Sequence, residues 1–394
     1  MKFLHVSDLH IGKIVNDFSM LEDQRFILEQ IAGMAVANQV DAVVIAGDIY
    51  DRAIPTGEAV MLFDSFLTRI VDYNIRIIMI SGNHDSAERV SFGKELLNAR
   101  GVHIAGIQEN ELTEVVIKKK RGRKGTNESK EYETEFVLLP FVKAAQVEAA
   151  NSGEAVKKLL AAYWEKEKKR KRTEKKNRVL VTHFFVTDAG REPELSDSET
   201  TIHVGGLDNV DASLFEGFDY VALGHIHKMQ QIGERPVWYS GAPLKYSFGE
   251  TTQTKGALLV SLEEEGKCEV HKLILRPLHE FRKMKGSLQE LLRQGQCAGA
   301  ERFDYLQAIL TDKGELIDPI GTLRSVYPNI MQLVREEDEL TDSGAVRMEN
   351  REAIATVRKD ALTMFEEFYL QVREEVLQAE GKQIVAELVK ELEE

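Results

Sequence analysis

Along the first hundred residues, short apolar runs alternate with segments of helical spacing. KFLHVSD reads as a strand, and the stretch from about Leu21 to Ala37 repeats its apolar positions at helical intervals. DAVVIAGD is a continuous apolar run, as expected of a strand buried on both faces. Residues 57–72 return to helical spacing, and IRIIMISGNHD is the next strand. Strands alternating with helices predict βαβ units and a largely parallel sheet.

From about residue 102 the pattern changes. VVIKKK, GRKGTNESK and YETEFVLLP predict a hairpin with a polar, basic tip, followed by a helix over about 153–170. RVLVTHFF and DYVALGHIH are two more strands, and VWYSGAPLKYSFGE, KGALLVSLE and KCEVHKLIL add further β-structure. A compositional shift falls after about 276, which marks a first domain over 1–275. The next segment, 276–340, predicts a small α+β unit. SLQE is a capping-box pattern opening a helix, DYLQAILTD and NIMQLVRE read as strands, and IDPIGTLRSVY is a helix with Pro319 near its first turn. Residues 341–394 form a third part. From about 350 it is helical, with Phe365, Phe368, Tyr369, Val372 and Val376 on one face; Gly381 interrupts it, and Ile384, Leu388 and Leu392 continue the stripe.

Composition narrows the class. Hydrophobic residues at 43% and charged residues at 29% are those of an ordinary soluble globular protein, and 394 residues suffice for one large core with one or two smaller units. No apolar run approaches the roughly 20 residues of a membrane span, and MKFLHVSD reaches an acid too early for a signal peptide. Cys268 and Cys297 form neither a disulfide framework nor a metal-ligand spacing, and read as packing residues in a reducing cytosol. A net charge of −14 argues against coating nucleic acid by bulk charge, so any polyanion contact is local. Two basic runs, KKKRGRK at 118–124 and KKRKRTEKKNR at 168–178, lack interleaved aromatics. Contact with a phosphate backbone is one reading of them, a solvated hairpin tip and helix end the commoner one, and base stacking is not indicated.

Five strands end in carboxylate, amide or imidazole groups: Asp8 with His10, Asp48, Asn83 with His84, His183, and His225 with His227. In a parallel sheet the strand C-termini share one edge, where ligands bind. These groups suit Mn²⁺, Fe²⁺, Zn²⁺ or Mg²⁺, and the lack of thiolate disfavours a closed structural zinc site. Seven ligand candidates exceed one tetrahedral ion, whereas a central carboxylate bridging two ions roughly 3.5–4 Å apart uses them all. Such a pair binds a phosphoester, activates water and stabilises both attacking and leaving oxygens. His84 is then free to assist the leaving group, and Asp85 to orient that imidazole. Asp85, Arg89 and Asp51 also read as turn, helix-start and cap residues, His5 as a packed strand histidine, and His103, His203, His271 and His279 carry no assigned role.

DLH at 8–10, GD at 47–48, GNHD at 82–85, TH at 182–183 and GHIH at 224–227 resemble the calcineurin-like metallophosphoesterases. The resemblance implies an α/β fold, a β-sandwich with flanking helices. One ion would take Asp8, His10 and His227 and the other Asn83, His183 and His225, with Asp48 bridging and His84 as the catalytic histidine. More narrowly, SDLHIGK, AGDIYDRAIP, SGNHDSAER, HVGGLDNVD, GHIHK, SGAPLKYSFGE and FDYLQAILTDKGELIDPIGTLRSVYPNIM resemble the bacterial SbcD nuclease subunits over nearly the whole chain. That implies a nuclease domain over 1–275, a DNA-capping domain over 276–340, and a helical segment over 341–394 that docks on an SbcC-like coiled-coil ATPase. It also implies cytoplasmic, Mn²⁺-dependent cleavage of DNA in repair, recombination and replication, exonucleolytic on duplex ends and endonucleolytic on single strands. A homodimer through helices of the nuclease domain is implied too. ATP hydrolysis falls to the partner, since the chain has no GxxxxGK[ST] loop. Archaeal and eukaryotic relatives carry a histidine shortly after the GD motif, where this chain has Asp51 and Arg52. Two competing readings are a small-molecule phosphodiesterase or phosphatase with the same chemistry, and a non-catalytic scaffold that binds DNA ends.

Overall fold

The fold comes from a computed structural model that describes residues 1–109, 111–122, 129–170, 176–196, 209–263, 267–314, 316–336 and 381–382. The predicted hairpin tip at 123–128, most of HVGGLDNVD and nearly all of the helical tail lie outside the described residues. The chain divides into two compact units, Met1–Ala308 with Glu315–Leu333, and Ile309–Gly314 with Val334–Glu394.

The first unit begins with strand β1 (Lys2–Val6), helix α1 (Leu21–Ala37), β2 (Ala42–Ala46), α2 (Gly57–Asp72), β3 (Arg76–Ile80) and β4 (Val102–Ala105). There follow β5 (Thr113–Gly122), β6 (Ser129–Leu139), α3 (Ser152–Lys169), β7 (Asn177–His183) and β8 (Tyr220–Gly224). Then come β9 (Gln230–Gln231), β10 (Val237–Tyr239), β11 (Gly256–Leu262), β12 (Cys268–Ile274), β13 (Phe281–Gly286) and α4 (Leu288–Cys297). The last elements are β14 (Tyr305–Leu310), α5 (Pro319–Arg324) and β15 (Ile330–Arg335).

Two six-stranded sheets result, in the orders β12-β11-β1-β2-β3-β4 and β9-β10-β8-β7-β6-β5. In the first, β1 to β4 run parallel, with β11 antiparallel on the outer side of β1. In the second, β6, β7, β8 and β10 run parallel, and β5 closes the predicted hairpin onto β6. Successive side chains of a strand point to opposite faces, so a run such as AVVIA is apolar throughout only because both faces are covered. Val44, Ala46, Ile78 and Ile80 face inward and meet Phe136, Leu138, Val179 and Val181 of the other sheet. Phe3 anchors this seam, with ring centroids 5.4 Å from Phe136 and 5.6 Å from Tyr220, both edge-on. On the outer faces, Val43, Ile45 and Ile77 pack with Ile27, Ile31, Leu62 and Phe66 of α1 and α2. Val137, Leu180 and Val221 pack with Val156, Leu160 and Tyr163 of α3. The fold is the expected α/β sandwich with flanking helices.

Beyond the sandwich, the predicted capping box is present: Ser287 Oγ accepts from Glu290 N at 3.4 Å, and Ser287 N donates to Glu290 Oε2 at 2.9 Å. β13, β14 and β15 form a three-stranded sheet in that order. The helix expected over IDPIGTLRSVY is short, Pro319–Arg324; Asp318 sets its start by accepting from Gly321 N at 3.0 Å. No helix among the described residues is long and apolar enough to cross a membrane.

Several cations of the basic runs are paired with acids. Lys118 bonds Glu133 at 2.6 Å and Lys119 bonds Asp41 at 2.7 Å. At the end of α3, Lys166 and Arg170 meet Glu114, while Lys176 and Arg178 each lie 3.0 Å from Glu167. Buried Glu135 takes Lys176 and, at 2.6 Å, the Tyr163 hydroxyl. Glu114, Glu135 and Glu167 lie close enough to share a metal ion, but the surrounding cations already neutralise them. Lys118, Arg170, Lys176 and Arg178 thus help to hold the hairpin, α3 and β7 together.

His5 lies inside the sandwich with Nδ1 3.0 Å from the Tyr220 hydroxyl, and burial pushes its imidazole down to about 3. Its folded value lies below the ordinary one of an unfolded chain, so unfolding takes up a proton between the two. Stability from this group is then full above about pH 6.5 and falls as pH drops toward 3, by up to about 1.4 kcal/mol per pH unit. Urea unfolding of wild type and His5→Gln at pH 7, 6 and 5 checks this: the variant's stability should fall less steeply with acid. Parallel profiles would show that His5 does not titrate on unfolding.

Candidate metal centre

The strands that carry the motif residues are the central parallel ones of both sheets. β1 runs on into Ser7-Asp8-Leu9-His10, β2 into Gly47-Asp48, β3 into Ser81-Gly82-Asn83-His84-Asp85, and β8 into His225-Ile226-His227, while β7 ends on His183 itself. Past the end of β1 the pairing to the next strand continues, with Asp8 N donating to Gly47 O at 3.1 Å and His10 N to Asp48 O at 3.0 Å. Asp8, His10 and Asp48 nevertheless adopt positive φ of 53°, 43° and 50°, and His225 one of 106°. Left-handed backbone in non-glycine residues costs on the order of 1–3 kcal/mol each and gathers where function requires it.

A glycine precedes three of the site residues, Asp48, Asn83 and His225, for a steric reason. A Cβ on Gly82 would lie 2.1 Å from Asp48 Oδ1, one on Gly47 2.4 Å from His183 Nδ1, and one on Gly224 2.0 Å from Ala46 O. The GN pair thus lets neighbouring strand ends approach closely, and the GD and GH pairs let the two sheets do so.

The seven expected ligand residues all meet here. Asp8, His10 and His227 place one ligand-type atom each within 4.8 Å of one another, as do Asp8, Asp48 and His183, and as do His10, Asp48 and His84. Asp48 Oδ2 lies 3.3 Å from His183 Nε2 and 3.7 Å from His10 Nε2. Asn83 Oδ1 lies 3.0 Å from His183 Nε2 and 3.1 Å from His225 Nδ1. His10 Nε2 and His227 Nε2 are 3.2 Å apart.

The hydrogen bonds indicate what this donor set suits. His183 Nδ1 is 2.8 Å from the Ala46 carbonyl, which only accepts, so Nδ1 carries a proton. In the neutral ring Nε2 is then a lone pair, and it faces two more acceptors, Asp48 Oδ2 and Asn83 Oδ1. Three converging lone-pair atoms need a cation between them. Without a metal the ring takes a proton: burial pushes His183 down, but the Asp48 charge and hydrogen bond, Asp8 and the Ala46 carbonyl raise it to about 9. Burial pushes Asp48 up, yet His183, His10 and His84 together hold it well below the usual carboxylate range. Asp8 rises to about 6, chiefly from burial, and burial drives His10 well below its ordinary value. The residues present fit divalent metal.

His84 and Asp85 differ in part from the sequence expectation. His84 N donates to Asp48 Oδ1 at 2.9 Å, and its ring stands edge-on to His10 at 4.8 Å. The ring is oriented by the Asp51 carbonyl, 3.1 Å from Nδ1, and not by Asp85. The Asp85 carboxylate turns away to accept from Gly82 N at 2.9 Å, Tyr50 N at 2.9 Å and Ile49 N at 3.1 Å. It ties the β3 turn to the β2 turn, and burial with the nearby Asp48 charge raises it to about 6 despite those three bonds.

Several supporting residues escape sequence reasoning. Buried Gln24 donates to His10 O at 2.7 Å and accepts from Gly12 N at 2.9 Å. The Tyr246 hydroxyl donates to Leu9 O at 2.5 Å while its ring backs His10 and His227 at 5.7 and 6.0 Å. Ser7 Oγ donates to Asp8 Oδ2 at 2.5 Å, and Asp51 holds Lys13 at 2.7 Å. A polar residue on a helix face or a tyrosine in a loop carries no local mark of these roles. Only the resemblance of the SGAPLKYSFGE stretch pointed toward Tyr246.

Comparisons with known proteins identify the family. Residues 1–229 match the calcineurin-like phosphoesterase family, and residues 277–373 match the type 5 capsule protein repressor C-terminal domain. The D subunit of the SbcCD nuclease from Staphylococcus epidermidis is 30% identical over 375 residues, 94% of this chain and 92% of that one. Its counterpart of the same name from Staphylococcus saprophyticus is 28% identical over 94% of this chain and 92% of its own. A dimetal phosphatase from Danio rerio aligns with 70% of this chain and 97% of its own, at 12% identity and a TM-score of 0.39. The chain belongs to the calcineurin-like phosphoesterase family, among the D subunits of the SbcCD nuclease. It is thus a metal-dependent phosphodiesterase.

Gly82→Ala forces its methyl against Asp48. A ligand bound only by the folded chain at 100 times its Kd stabilises it by about 2.7 kcal/mol. Thermal unfolding with and without Mn²⁺ should show a clear upward shift for wild type and little or none for Gly82→Ala. An equal shift in the variant would mean that the ligands relax freely around the methyl.

Proposed function

We propose that this chain is the nuclease subunit of an SbcCD-like complex and cleaves DNA phosphodiester bonds with two divalent ions, Mn²⁺ in the cell. The observation that carries the reading is the convergence of seven donors on the shared edge of two sheets, in a chain aligned along 94% of its length with SbcCD D subunits. Asp8, His10 and His227 would hold one ion and Asn83, His183 and His225 the other, with Asp48 shared between them. The distances of Asp48 Oδ2 to His10 and His183, one imidazole on each side, support that bridging role.

When bound, the ions supply the positive charge that holds a phosphodiester and the acidity that activates water. The protein positions everything else. His84 N pins Asp48 Oδ1, which leaves Oδ2 to face both imidazole sets. With Nδ1 tied to the Asp51 carbonyl, the half-buried His84 ring presents Nε2, from which the imidazolium donates a proton to the departing ribose oxygen. Asp85 keeps the turn that carries His84 in register with β2.

On the same reading, residues 1–275 are the nuclease domain, 276–340 the DNA-capping domain and 341–394 the segment that docks on an SbcC-like ATPase in the cytoplasm. The complex would act on duplex ends and single strands in repair, recombination and replication. A homodimer through nuclease-domain helices is supported by large apolar side chains left open on and after α2: Met61, Phe92 and Leu96 are 71%, 85% and 81% exposed. Alignment through the C-terminal region disfavours a small-molecule phosphodiesterase, which needs neither cap nor tail.

End-labelled duplex and single-stranded DNA, incubated with Mn²⁺, Mg²⁺ or EDTA, test the proposal. Mn²⁺-dependent products should vanish in Asp48→Ala. His84→Ala should keep its bound Mn²⁺ and lose about 10²-fold or more in cleavage rate. Turnover of a chromogenic phosphodiester without any DNA cleavage, even with the ATPase added, would overturn the substrate assignment.

A further inference from the structure

Glu250 stands outside every ligand cluster, yet its side chain is wholly buried beside one of the site histidines. It ends the short turn Phe248–Glu250, just after Tyr246. Oε1 lies 3.7 Å from His227 Nδ1 and accepts from Ser247 Oγ at 3.2 Å and Tyr246 N at 3.4 Å. Oε2 lies 2.5 Å from the ammonium of Lys255, which is itself buried. Lys255 directs further donors to the His227 carbonyl at 2.9 Å and to Gln253 Oε1 at 2.9 Å. One acid and one base thus hold His227 at both ends, the ring from behind and the main chain from below.

A buried ion pair of this kind seldom stabilises a fold better than apolar side chains of the same volume. Its placement behind a site imidazole has a chemical consequence that packing alone lacks. A carboxylate facing Nδ1 favours the tautomer with the proton on Nδ1, which leaves the lone pair on Nε2. His227 Nε2 is the atom that faces His10 and the Asp8 cluster. Metal-bound histidines commonly have their other ring nitrogen held by a carboxylate, which fixes ring and tautomer and strengthens the ligand. The separation of 3.7 Å is in ion-pair range and longer than a hydrogen bond.

We propose that Glu250, neutralised by Lys255, is a positioning residue that acts through His227 to set the affinity of one of the two metal sites, the one shared with Asp8 and His10. This rests on the two-ion reading above. It concerns metal affinity and not contact with DNA.

Calorimetric Mn²⁺ titration of the full chain separates the possibilities, run on wild type, E250Q, H227A and E250Q/H227A, with thermal unfolding as the fold control. Wild type should bind two ions. Folded E250Q should bind one ion as wild type does and the other about 10–100-fold more weakly. In the H227A background, E250Q should change Mn²⁺ affinity no further, although it still lowers thermal stability. The variant E250Q/K255M removes both buried charges together, avoids an uncompensated ammonium, and should show the same selective weakening. Unchanged affinities in folded E250Q or E250Q/K255M would overturn the proposal while leaving the two-ion reading intact. A further loss of affinity from E250Q in H227A would also overturn it, because the effect would not pass through His227. Fewer than two ions in wild type would overturn the two-ion reading and this proposal with it.

Discussion

The Asp48 carboxylate, buried between imidazoles from both sheets, is the constraint around which the rest of the structure is arranged. A carboxylate in that position is tolerated only if opposite charge and hydrogen-bond donors surround it. The His84 amide supplies one donor, and His10 and His183 supply the facing rings. Each comes from a different strand end, so the charge can be satisfied only where β1, β2, β3 and β7 reach the same edge. The parallel order of both sheets provides that edge, and helices covering the outer faces keep such parallel strands buried.

Strain at the site follows from the same requirement. Asp8, His10, Asp48 and His225 sit in left-handed backbone because the chain must turn sharply while aiming a polar group inward. Gly47 and Gly224, beside Asp48 and His225, keep no Cβ because His183 and the Ala46 carbonyl occupy that space. The sandwich core beneath, with Phe3, Phe136 and Tyr220 in edge contact, is the stable body against which these unfavourable conformations are held. A second charge-rich region follows the opposite logic. Around Glu114, Glu135 and Glu167, acids and bases occur in balance and close on one another, so that network ties elements together rather than presenting a binding site.

Much of this was legible in the chain itself. Continuous apolar runs such as AVVIA and YVALG marked doubly covered strands, and the polar residues after them marked the shared edge, because both signals are local and repeat with the period of a strand. The seven ligand candidates were readable for that reason, as was the Ser287 capping box. What sequence reasoning assigned by proximity was less secure. Asp85 is next to His84 in the chain but serves the backbone of Ile49 and Tyr50, while the carbonyl of Asp51 takes the imidazole.

The sequence by itself therefore determined the alternation of elements, the residues at strand ends and the chemical class of the donors, since each depends on near neighbours along the chain. Tertiary structure alone decided which group completes which bond. Gln24 reaches His10, Tyr246 backs two imidazoles, and Glu250 with Lys255 grips His227 across more than 20 positions of sequence. A hydrogen bond is chosen by distance and direction in space, and the crossing of two sheets brings together groups that no local pattern relates.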